Sequence, residues 1–80
     1  MATNASSSNM AFELNETDKD VIGHLSQRGN DVPANIGDRL GQSRQYIHRR
    51  LQLLEAAGHV ENIGRGVYAL RNDPRDGGEE

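Results

Sequence analysis

Eighty residues allow a single domain, and the absence of cysteine excludes a disulfide framework and a thiolate metal site. No apolar run approaches the length of a membrane span and no basic start leads into a hydrophobic stretch, so neither a transmembrane helix nor a secretory signal is expected and the protein should be cytoplasmic. The formal charge of -3 argues against a nucleic-acid partner only until its distribution is read: residues 1–33 carry five acids and two bases, residues 73–80 four acids and one base, which leaves residues 34–72 at +3.

Residues 1–9 are low in complexity and residues 73–80 form an acidic tail; both are expected to be disordered, with the folded domain spanning 10–72. Met10, Ala11, Phe12 and Leu14 make an apolar patch ahead of Asn15, whose side chain can cap a helix. Asp18 completes part of a capping box, Val21, Ile22 and Leu25 supply a buried stripe, and Gly29 in a left-handed conformation ends a helix of roughly 15–28. Pro33 suits the first position of a short second helix through Ile36 and Leu40, broken at Gly41 and Gln42. Ser43 caps a third helix, along which Ile47, Leu51, Leu54 and Ala57 recur on one face until Gly58 stops it. The pattern then shortens to His59–Ile63 and Val67–Leu70 around the tip Gly64, Arg65, Gly66, which reads as a β-hairpin with Val60, Tyr68 and Leu70 facing inward.

Ile36, Gly37, Leu40, Gly41 and Ile47 match a helix-turn-helix, in which two helices crossing steeply leave no room for side chains at the contact. Arg50 departs from the pattern where a second apolar residue is usual, with Leu51 following instead. From Leu14 to Leu70 the chain resembles the winged-helix regulators of archaea and bacteria, above all the small repressor-like proteins related to the repressor of the haloarchaeal phage phi-H. The likeness lies in Ser43–Leu51, Leu54–Glu61 and Gly64–Tyr68. It implies an α+β winged helix-turn-helix, a three-helix core followed by a β-hairpin wing, acting as a homodimeric, sequence-specific binder of double-stranded DNA and a repressor of transcription.

The third helix carries the expected chemistry. At about 100° per residue, Gln45, His48, Arg49 and Gln52 fall opposite the apolar stripe, with Arg44 at the border. Arginine can bond guanine and glutamine adenine bidentately, so Gln45 and Arg49 suit base edges in the major groove. Ser43 and Arg44, at the helix entrance, suit phosphates. Arg65 at the slim tip suits the minor groove. Tyr46 is divided between a phosphate and the core edge, Arg50 between a phosphate and an internal ion pair, and His48 can bond a base or phosphate. His24 and His59 are expected to have no special role, and the three histidines lack metal-pair spacing. No catalytic constellation and no cofactor motif is present, and one protomer is expected to have no room for an effector pocket. Eight arginines against one lysine, with the acidic ends, fit a protein from a halophilic archaeon, a GC-rich genome being the alternative. A protein-interaction module and an RNA-binding winged helix stand as alternatives, separated from the DNA reading by salt-dependent duplex binding.

Overall fold

The computed structural model describes residues 13–74. The expected disordered start, the patch Met10–Phe12 and the tail beyond Pro74 lie outside the described residues. Helix α1 (Glu16–Arg28) is followed by α2 (Pro33–Leu40), α3 (Arg44–Ala56) and the strands β1 (Val60–Gly64) and β2 (Val67–Leu70). This is the winged helix-turn-helix order.

Each boundary has a local cause. Asn15 Oδ1 accepts from the Asp18 amide at 2.7 Å and Asp18 Oδ2 accepts from the Asn15 amide at 2.9 Å, a complete capping box. Ser43 Oγ accepts from the Tyr46 amide at 3.0 Å and starts α3. At the other end of α3, His59 N–H donates to the Leu54 carbonyl and Gly58 N–H to the Glu55 carbonyl, both at 2.9 Å, the two bonds of a Schellman motif with Gly58 at φ 87. Gly29 departs from expectation: its φ of 95 is positive, but a ψ of -170 makes it an extended glycine turn rather than a left-handed cap.

The turn between α2 and α3 depends on Gly37. A Cβ there would lie 2.6 Å from the Gln42 carbonyl oxygen, while Gln42 N–H donates to the Gly37 carbonyl at 2.9 Å. Backbone therefore passes against backbone, and only glycine fits.

One core joins all these elements. Val21, Ile22, Leu25, Ile36, Ile47, Leu51, Leu54, Val60 and Tyr68 are buried together, with Leu14, Leu40 and Leu70 packed against them. Fully burying each aliphatic side chain is worth roughly 1.5–3 kcal/mol, so the stripe of α3 anchors that helix on α1 and α2. Ala57 does not join it. It follows the last residue of α3 and is exposed where the chain turns away, so the apolar spacing overran the helix by one residue.

The hairpin pairs Val60 with Leu70, Glu61 with Ala69, Asn62 with Tyr68 and Gly64 with Val67, leaving Ile63 as a bulge. Val60 and Tyr68 face inward as expected, and Leu70 packs at the margin. A further pairing is invisible in the periodicity: Asp31 exchanges both backbone bonds with Tyr68, at 3.0 and 2.7 Å. The outer edge of β2 is thereby fastened to the segment between α1 and α2.

Candidate nucleic-acid interface

The cap at Ser43 fixes where α3 begins and the core stripe fixes which side of it is hidden. Arg44, Gln45, His48, Arg49 and Gln52 consequently all stand exposed on the opposite side. At the hairpin tip Gly64, Arg65 and Gly66 all have positive φ, at 125, 57 and 77. The glycines accept this freely, whereas Arg65 is held in a conformation that L side chains disfavour.

These two elements converge. Arg44, Gln45 and His48 of α3 face Arg65 and Gly66 of the wing across an open groove of about 480 Å³, whose remaining wall is Val32, Pro33 and Ala34 at the start of α2. Two guanidinium groups, an imidazole and a primary amide thus share one concave surface without a carboxylate among its lining residues. The start of α2 forms this wall with few free donors: Pro33 has no N–H, the Val32 amide is bonded to Asp31 Oδ1 at 2.8 Å, and Asn35 N–H is bonded to the Val32 carbonyl at 3.1 Å. The groove is an open trough on the surface and not an enclosed cavity.

Not every residue singled out from the sequence lines the groove. Arg49 and Gln52 stand outside it on the exposed face of α3, Ser43 is engaged as the cap, and Tyr46 is half-buried on the flank of the helix. The Tyr46 hydroxyl accepts from Asn15 Nδ2 at 3.1 Å. Among the described residues no carboxylate pairs with Arg44, Arg49 or Arg65, so their charge is directed to solvent.

Arg50 is the cation that turns inward. Its Nε and Nη2 donate to the two carboxylate oxygens of Asp18 at 2.8 and 2.6 Å, and the Asp18 side chain is fully buried. These bonds raise the guanidinium pKa above its ordinary value, against the opposing effect of burial. Of the two roles left open for Arg50, the internal ion pair is the one present.

A second polar cluster positions the wing and corrects the expectation that His24 is idle. The His24 side chain is buried, and its Nε2 lies 2.7 Å from Asp31 Oδ2, which also accepts from Asn35 Nδ2 at 2.6 Å. Burial alone would raise the Asp31 pKa, but the hydrogen bonds from His24, Asn35 and the Val32 amide outweigh it and hold the carboxyl below its ordinary 3.8. An ionised carboxylate can only accept, so His24 Nε2 is the donor. Asp31 therefore ties α1, the first turn of α2 and, through its backbone, the wing strand into one frame. A lone aspartate in a turn carries no spacing signal, which is why sequence reasoning missed it.

The described residues hold no cluster suited to a metal ion and no helix long and apolar enough to cross a membrane. The family model described as MarR family matches residues 12–65, more than half of the chain, ending at the wing tip. No curated protein and no solved structure matches the chain.

Proposed function

From the premise that the chain belongs to the MarR family of DNA-binding transcriptional regulators, we propose that it reads a specific duplex site, with α3 in the major groove and Arg65 at the minor groove or the flanking backbone. The observation that carries this reading is the meeting of Arg44, Gln45, His48 and Arg65 in one groove free of carboxylates. Gln45 and Arg49 have the donor and acceptor geometry for adenine and guanine edges, with His48 and Gln52 on the same face. Arg44 and the Ser43 and Tyr46 hydroxyls suit phosphates, which fix register without reading sequence.

A domain of about sixty folded residues is only marginally stable alone, which favours a homodimer whose α3 helices meet successive major grooves about 34 Å apart. Occlusion of polymerase is then the simplest consequence, in keeping with the likeness to the phage phi-H repressor. A protein-binding role draws on the exposure of two large apolar side chains, Leu53 of α3 and Ile63 of the wing, at 40% and 51%.

Titrating a labelled duplex at increasing potassium chloride separates the two readings. DNA binding predicts that log affinity falls linearly with log salt, by about 0.9 per phosphate neutralised. Arg65→Ala should reduce that slope by about 1, while Arg49→Ala should also relax base preference at one position and cost about 1–3 kcal/mol. Duplex binding indifferent to salt and to both substitutions would leave the protein-interaction reading standing.

A further inference from the structure

The capping box of α1 does more than start its helix. Asn15 Oδ1 accepts from the Asp18 amide and Asn15 Nδ2 donates to the Tyr46 hydroxyl; Asp18 Oδ2 accepts from the Asn15 amide, and both Asp18 oxygens accept from Arg50. The four residues are thus linked in one run of hydrogen bonds, from Tyr46 through Asn15 and Asp18 to Arg50, with the Asp18 side chain fully buried within it. Tyr46 and Arg50 are four residues apart and so lie on one edge of α3, a single turn from each other. Each immediately follows one of the expected base readers, Gln45 and Arg49.

The apolar stripe holds α3 against the core but is a poor judge of its roll, because hydrophobic contact is non-directional. A guanidinium–carboxylate fork has a fixed plane and bond direction, and it does not tolerate the same freedom. A roll of about 15° would carry a side-chain tip about 6 Å from the helix axis through roughly 1.5 Å. A productive contact tolerates only about 0.5 Å.

We propose that Asn15, Asp18, Tyr46 and Arg50 form a rotational lock on α3, so that Asn15, Asp18 and Arg50 are positioning residues that set base specificity without touching a base. The lock rests on the reading of α3 as the DNA-reading helix. It assigns to the capping box of α1 a role in recognition at a distance from the groove.

The test compares the full chain with Arg50→Lys, which keeps the charge and loses the fork, and with Asn15→Ser, which keeps a good cap oxygen and loses the amide that reaches Tyr46. Affinity is measured for a duplex enriched from a random pool and for the unselected pool, at a temperature where melting curves show each variant folded. The lock predicts that the ratio of the two affinities falls about tenfold in Arg50→Lys, the order expected for one misaligned base contact, and less in Asn15→Ser. Affinity for the unselected pool and its salt slope should stay unchanged, which a role in stability alone, or a direct phosphate contact by Arg50, would not produce. If Arg50→Lys does not fold, Asn15→Ser decides by the same ratio. Unchanged ratios in folded variants, or equal losses on both duplexes, overturn the lock while leaving the DNA reading intact. A wild type that does not prefer its enriched duplex overturns the DNA reading and the lock with it.

Discussion

Arg65 occupies a left-handed position, φ 57, between two glycines at the tip of the wing. Placing a side chain there costs about 1 kcal/mol, and glycine would relieve it. Arg65→Gly is therefore expected to leave thermal stability unchanged or raise it by up to about 1 kcal/mol, while weakening duplex binding. A melting curve paired with a binding isotherm checks both, and a large loss of stability would contradict the account of the tip. Asp31 makes a separate prediction about acid. Its folded pKa lies below the ordinary 3.8, so it contributes stability that is fully present above 3.8 and is lost as pH falls through the folded value. Melting temperatures followed from pH 5 downward should show a loss below about pH 3.8 that Asp31→Asn removes. The glycines around Arg65 were legible in the sequence as turn chemistry. The strain on Arg65 itself was not, because backbone angles follow from closing the hairpin and not from residue type.

Between elements, the packing of α2 on α3 is decided by Gly37. Alanine there would gain about 1 kcal/mol of helix propensity but would force its Cβ against the Gln42 carbonyl, an overpacking cost of roughly 1–3 kcal/mol. Gly37→Ala should be destabilised by about 1 kcal/mol in urea titration; a more stable variant would mean that the turn yields more easily than its geometry indicates. The three helices, their caps and the wing were readable because capping residues, apolar period and paired glycines act locally. Gly37 was readable because a glycine inside a helix calls for a contact. What periodicity could not carry were pairings between distant segments. The Asp31–Tyr68 bridge, the His24–Asp31 bond and the grip of Asp18 on Arg50 each join residues that no local pattern relates. Arg50 illustrates the limit well, since its place off the apolar stripe suits a phosphate contact and an internal ion pair alike, and only the buried Asp18 beside it decides between them.

Across the whole molecule, charge sorts by surface. On α1, Asp18 is buried as cap and partner of Arg50 while Glu16 and Asp20 stand exposed, whereas Arg44, Arg49 and Arg65 project from α3 and the wing with no carboxylate paired to them among the described residues. A second basic trough, lined by Lys19, Arg28 and Arg39 with Asp20 among them, lies between α1 and α2. Net charge and pI could not distinguish these faces, and the segment charges only pointed to the region from α2 to the wing. The most direct measurement is an NMR titration of the isotopically labelled protein with a short duplex at low salt. The account predicts that perturbed signals cluster on Arg44, Gln45, His48, Arg49 and Gln52, at the start of α2 and at Gly64–Gly66. Perturbations gathered instead around Lys19, Arg28 and Arg39, or none at all, would contradict it.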